Sequence, residues 1–220
     1  MRPVHRHRAA VILLVAGVVG CSSTQRAPSS PAPQQSNSSV AAQIRADSAR
    51  NPYTQADVDF MTHMIGHHAQ ALVMAGWAPS HGASPTVRTL AERIINAQQD
   101  EIASMQRWLR DRGKPAPEPN STMQLHMKMA QGGHEMLMPG MLTEAQMHQL
   151  DQARGPEFDR LFLSFMIQHH RGAVSMVKDL FGTTGAARDE AVFKFANDVS
   201  VDQTTEVARM ERMLAALPPG

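Results

Sequence analysis

Two adjacent histidines occur twice in this chain, each time between methionines at helical distances. His67 and His68 lie between Met64 and Met74, and His169 and His170 lie between Met166 and Met176. Thioether sulfur and imidazole are ligands for soft and borderline transition metals, and together they suit copper. His63 adds an i, i+4 pair with His67, a spacing at which one helix face can hold a metal. The matching position in the second block is Phe165, so the two blocks would not be equivalent sites. A second set of candidate ligands lies between the blocks: Met123, His126, Met127, Met129, His134, Met136, Met138 and Met141. Gly132-Gly133 and Pro139-Gly140 interrupt this stretch, so it is not one buried helix face. An exposed methionine gains nothing from burial, which leaves metal binding as a reason for so many thioethers. These donors favour Cu(I) and can take Cu(II) through imidazole. The alternative stays open: a core histidine is often satisfied by a carboxylate, and methionine fills irregular cores.

The blocks belong to a longer repeat. Asp57–Ala75 reads DVDFMTHMIGHHAQALVMA and Asp159–Val177 reads DRLFLSFMIQHHRGAVSMV. With a shift of 102, Asp57, Phe60, Met64, Ile65, His67, His68, Ala71 and Met74 meet identical residues. With a shift of 105, Gln98, Glu101, Ala103, Met105, Arg107 and Leu109 meet Gln203, Glu206, Ala208, Met210, Arg212 and Leu214. The hydrophobic period is helical throughout. The signals predict a helix from Thr54 to about Ala78, opened by a capping box of Thr54 and Asp57. A second runs from the N-cap Ser84 and Pro85 to Gly113. A short one lies near 143–153, a long one runs from Gly155-Pro156 to near Gly182, and a last from about Ala186 to Leu217. The chain is thus two copies of a helical hairpin, which pack most simply as an all-α four-helix bundle with pseudo-two-fold symmetry. At about 100° per residue, the repeated residues share one stripe, so His67 and His169 take positions where leucine is usual. A buried imidazole needs partners, and Glu101 or Glu206 on a neighbouring helix could supply them. Trp77, Trp108, Phe60 and Phe162 read as core packing.

The 220 residues suffice for one ordinary domain with flanking segments, and a net charge of +1 gives no footprint for nucleic acid. Sixteen methionines against one tyrosine keep a chemical use in view. Residues 1–21 read as a signal: Arg2, His5, Arg6, His7 and Arg8 precede a short apolar run, then Val18-Val19-Gly20-Cys21. That ending resembles a bacterial lipobox, in which Cys21 is lipidated and becomes the mature N-terminus. Cys21 is the only cysteine, so no internal disulfide can form. Residues 22–50 are Ser/Pro/Gln-rich and read as a tether; residues 51–217 hold the helices, with the Met/His-rich connection at about 114–155. The expected location is the cell envelope, lipid-anchored to a bacterial membrane with the domain in the periplasm or outside. The metal ion and the membrane are then the expected partners, together with an envelope copper-handling protein. Oligomeric state is not set by these features.

The paired His-His blocks resemble those of the domain of unknown function family 305. So does Met138-Pro139-Gly140-Met141 leading into Phe158-Asp159-x-x-Phe162 and Met166-Ile167-x-His169-His170-x-Gly172-Ala173. The resemblance covers about residues 54–215. It implies a ferritin-like four-helix bundle, often exported, with some members binding copper through Met and His and linked to metal tolerance. The first block has Ala69-Gln70 where the second has Arg171-Gly172, which makes the N-terminal copy the less typical one.

Enzyme readings fare poorly. A di-iron bundle uses Glu-x-x-His motifs, and the sequence has none. His-Glu-x-x-His and Gly-x-Ser-x-Gly are also missing, so neither a zinc protease nor a serine hydrolase is indicated, and no organic cofactor is expected. The competing function is a metal-free helical structural or partner-binding module of the envelope.

Overall fold

The computed structural model of the protein describes residues 52–119 and 137–218, together with Ala42 and Ala46. The expected signal and lipobox, nearly all of the tether, and Met123, His126, Met127, Met129, His134 and Met136 lie outside the described residues. The described chain is all-helical: α1 (Gln55–Gly76), α2 (Pro85–Asp111), α3 (Glu144–Gln152), α4 (Gly155–Gly182) and α5 (Glu190–Ala215). The contacts pair α1 with α2 and α4 with α5, as the repeat requires, while α1 and α4 join the two hairpins and α3 leans on α4.

The helix starts follow local chemistry. Thr54 and Asp57 form a reciprocal capping box, with the Thr54 N–H donating to Asp57 Oδ2 at 2.7 Å. Ser84 accepts from the Val87 N–H, and Pro85 occupies the first turn where its missing N–H costs nothing. The last helix begins later than expected, at Glu190 instead of about Ala186. Ala187 sits in the left-handed region at φ 54°, which stops helical winding there. Asp189 then caps α5 by accepting from the Ala191 and Val192 N–H groups at 3.1 Å. The same carboxylate holds Arg112 at 2.6 Å and the Trp108 indole N–H at 3.2 Å, so one side chain starts α5 and ties it to α2.

The repeated aspartates explain how the hairpins find each other. Asp57 on α1 accepts from the Ala187 N–H at 2.6 Å, in the turn of the second hairpin. Asp159 on α4 accepts from the Ser84 N–H at 3.1 Å, in the turn of the first. Each copy therefore fastens the other's turn with its own buried carboxylate, a reciprocal bond that pseudo-two-fold symmetry produces automatically.

The interior is layered. One apolar cluster joins Met74, Leu90, Ile94, Phe158, Phe162, Met166 and Met210. Another joins Phe60, Met64, Ile65, Met105, Trp108, Val177 and Val199. On every long helix a buried polar residue falls between the two: His67 and His68 on α1, Gln98 on α2, His169 and His170 on α4, Gln203 on α5. The 102- and 105-residue repeats thus place six polar side chains in one central layer between two greasy ones.

The connection between the hairpins returns to this layer. Pro139 and Gly140 press against α4 so closely that a Cβ on Gly172 would stand 2.0 Å from the Pro139 carbonyl oxygen. On α1 the equivalent position is Gln70, whose carboxamide grips Leu142 at both ends: Nε2–H to the carbonyl at 3.0 Å, and the Leu142 N–H to Oε1 at 2.7 Å. The departure between the blocks, Gln70 against Gly172, is therefore structural: one copy clamps the connection and the other makes room for it. This corrects the expectation for two of the loop methionines. Met141 is buried in this packing and Met138 is half-buried, so neither is an open, labile ligand.

Candidate metal centre

The helices bring His67, His68, His169 and His170 together with none of the four exposed. The His67 and His169 rings stand 3.9 Å apart, centre to centre, tilted by 37°. Each imidazole is anchored by Nε2. His67 donates to the carbonyl oxygen of Pro139 at 3.0 Å, and His169 donates to the carbonyl oxygen of His67 at 3.0 Å. His68 meets Glu101 Oε2 at 2.7 Å, and His170 meets Glu206 Oε2 at 2.7 Å. The carboxylates expected for His67 and His169 thus go to the second histidine of each pair. The reason is angular: one residue further along the helix turns the ring about 100° away from the α1–α4 seam and towards the outer helix of its own hairpin.

All four Nδ1 atoms are buried and lack a hydrogen-bond partner among the described residues. So do both polar atoms of the Gln98 and Gln203 carboxamides. A buried polar atom left without a partner costs roughly 1–3 kcal/mol, so this layer holds several such costs at once. With Nε2–H donating to oxygen, the free Nδ1 carries a lone pair. That is the arrangement by which ligating histidines are held: one ring nitrogen donates to a carboxylate or backbone carbonyl, and the other faces the ion. Electrostatics keeps two of the lone pairs available. Burial lowers His67 to about 3; the repulsion its proton would meet from one on His68 adds to this, and the bond to Pro139 opposes. Burial, then the repulsion a proton would meet from others in the histidine cluster, holds His169 well below its usual value. Both rings are neutral at pH 7, so copper would not have to displace a proton from either.

The other candidates sort by depth. Met64, Met74 and Met166 are fully buried against the layer's two flanks. Met176 is partly buried, and His63 is half-buried with its pKa lowered by burial against a smaller opposing pull from Asp59. Trp77 is also only partly buried, unlike Trp108, Phe60 and Phe162. Among the described residues no three His, Cys, Asp or Glu side chains converge as a ligand set. Gln98 and Gln203 were visible in the repeat only as matched letters. Their signal was that an amide is kept at the same core position of both outer helices.

The fold and this layer define a class: a duplicated all-helical domain whose core is divided by paired, anchored histidines. The chain belongs to the family described as domain of unknown function (DUF305), whose model matches residues 57–214. It is similar to a DUF305 fragment from Deinococcus radiodurans, 32% identical over 76% of this chain and 99% of that one, with a TM-score of 0.61. A putative secreted DUF305 protein from Streptomyces coelicolor is 28% identical over 73% of this chain and 91% of that one, TM-score 0.60. CopM in its Cu(II)-bound form is 29% identical over 72% of this chain and 95% of that one, TM-score 0.55. CopM structures with Cu(I) and with Ag also match. Protein L153 of Acanthamoeba polyphaga mimivirus is 37% identical over 62 residues, which span 41% of that protein.

Proposed function

We propose that this protein is an exported copper-binding protein, tethered to a bacterial membrane through Cys21, that sequesters copper through methionine and histidine. The observation that carries the reading is the set of four buried imidazoles, each fixed through Nε2 and each with an unpartnered Nδ1. Cu(I) is favoured over Cu(II) because a soft ion accepts two or three nitrogen and thioether ligands, and among the described residues no three His, Cys, Asp or Glu side chains converge. His67, His169, Met64 and Met166 would hold the tighter copper, since packing fixes them before the ion arrives. Met123, His126, Met127, Met129, His134 and Met136 would hold labile copper. CopM, a structural neighbour, binds Cu(II), Cu(I) and Ag, and a neighbour from Streptomyces is described as secreted. Binding, not catalysis, is the whole of the activity in this reading.

Competition titration with a Cu(I) chelator tests it. The wild type should show at least one site tighter than about 1 μM. His67→Gln/His169→Gln should weaken that component tenfold or more, a loss of the size expected when anchored ligands are removed. Leucine at Met123, Met127, Met129 and Met136 should lower the stoichiometry and leave the tight site and the helical spectrum unchanged. No site tighter than micromolar, or no effect of either set, returns the histidines to a metal-free packing role.

The anchor has its own test. Cys21→Ser should move the protein from the membrane fraction to the soluble one, or leave it unprocessed. A variant that fractionates and matures like the wild type removes the lipoprotein reading and leaves the copper reading standing.

A further inference from the structure

On the far side of the histidine layer, a pocket of about 270 Å³ lies between α2 and α5. Gln98, Glu101, Asp202, Gln203 and Glu206 line it, with Arg93 and Arg209 alongside. We propose that this pocket binds a hard divalent cation through oxygen, as a site separate in chemistry from the copper ligands.

The donors are of the right kind. Gln98 and Gln203 are 2% exposed, and neither carboxamide oxygen has a partner among the described residues. They are buried at matched positions of two helices and line the same space, so whatever fills the pocket must meet their oxygens. Glu101 and Glu206 each spend Oε2 on a histidine, which leaves Oε1 free of those rings, and both residues line the pocket. Asp202 stands at the exposed mouth as an outer charge acting through water, not as a third direct ligand, since no three His, Cys, Asp or Glu side chains converge among the described residues. Amide and carboxylate oxygens gathered without thiolate or thioether select ions such as Mn²⁺, Ca²⁺ or Mg²⁺ over Cu(I). The volume exceeds a bare ion and leaves room for coordinated water, at roughly 30 Å³ each. Arg93 and Arg209 offset part of the negative charge, which points to a modest affinity.

The pocket shares the repeat symmetry of the histidine layer. Gln98 and Gln203, and Glu101 and Glu206, are pairs of the 105-residue repeat, so a cation on the pseudo-two-fold axis would meet the same donors from both helices. Asp202 has Ala97 as its counterpart and breaks that equivalence, marking the side from which the ion is reached.

The pocket shares Glu101 and Glu206 with the anchors of His68 and His170, and one experiment keeps the two readings apart. The full chain is titrated with Mn²⁺ alone, and free Mn²⁺ is followed by its six-line electron paramagnetic resonance signal. One ion per chain should bind with a dissociation constant below about 1 mM, the weak end of the range for oxygen-ligand sites. Gln203→Leu and Asp202→Ala should each weaken it roughly tenfold, the loss usual for a ligand or its support, with Cu(I) titration unchanged. Asp202 is exposed, so its variant decides the matter if Gln203→Leu fails to fold. Mn²⁺ uptake that persists in a protein found not to bind Cu(I) supports this site and ends only the copper reading. Absence of saturable Mn²⁺ uptake by the wild type, or equal uptake by wild type and Asp202→Ala, overturns the inference.

Discussion

Gly172→Ala should destabilise this protein by about 3 kcal/mol, the upper part of the usual range for forcing extra volume into a packed interior. The added Cβ would lie 2.0 Å from the Pro139 carbonyl oxygen, 2.4 Å from its carbon and 2.5 Å from Gly140 Cα. All three are backbone atoms, so no side chain can swing aside. Gly140 cannot yield easily either, because it sits at φ 76° and its own Cβ position is closed by the α4 backbone at Gln168 and Gly172. Relief requires lifting the 139–140 turn from α4. That movement withdraws the carbonyl that holds His67 Nε2, so the tight copper component proposed above should weaken with the fold. Gly182→Ala is the matched control. It lies on the same helix with nothing within 4 Å of the new Cβ, and should be neutral or stabilise by up to about 1 kcal/mol. Urea midpoints for the two variants decide the point. A Gly172→Ala protein within about 0.5 kcal/mol of wild type would mean the connection is not seated on α4 as described.

Acid should unfold the protein along a slope set by two histidines. In the native state burial lowers His67 to about 3 and holds His169 well below its usual value. In the unfolded chain both titrate near 6.5. Between those values the unfolded state binds more protons than the native one, so stability is present above about pH 6.5 and is lost as the pH falls towards 3. Two protons give a slope of at most about 3 kcal/mol per pH unit while both rings stay neutral in the native state. A slope of that size is large against the roughly 5–15 kcal/mol that holds a small domain folded. Urea midpoints at pH 7, 6, 5 and 4.5 should therefore fall steeply for wild type and much less for His67→Gln/His169→Gln. If the double variant is too weak to measure, His169→Gln alone should remove about half of the slope. Equal slopes for wild type and variant would place the acid sensitivity elsewhere.

The same neutrality predicts little pH dependence of copper affinity. Ordinary ligating histidines lose affinity below about pH 6.5 because the proton competes with the metal. His67 and His169 have no proton to release until far lower pH, so Cu(I) affinity should stay level between pH 5 and 8 for as long as the fold holds.

The helices and their duplication were legible from one sequence because their causes are local. Thr54, Ser84 and Pro85 act within one turn, and apolar spacing at 3.6 residues acts within one helix. The repeat offsets of 102 and 105 then dictate two hairpins without any knowledge of contacts. The same offsets indicated that His67 and His169 replace leucine in a core. What sequence could not settle was which partner each polar group takes, because a partner is chosen by distance across helices. Glu101 and Glu206 were visible as acids one helix away, yet only the relative rotation of the helices sends them to His68 and His170 and leaves His67 and His169 to backbone carbonyls. Asp57 and Asp159 read as repeated helix-start residues, and only the crossing of the hairpins makes them each other's turn locks. Met141 looked like loop because it neighbours Pro139-Gly140, and became core because Gly172 on a distant helix has no Cβ to keep the loop away. Gln98 and Gln203 carried no local signal at all. An amide in a helix is ordinary until packing removes the water around it, and it is the tertiary fold that does so.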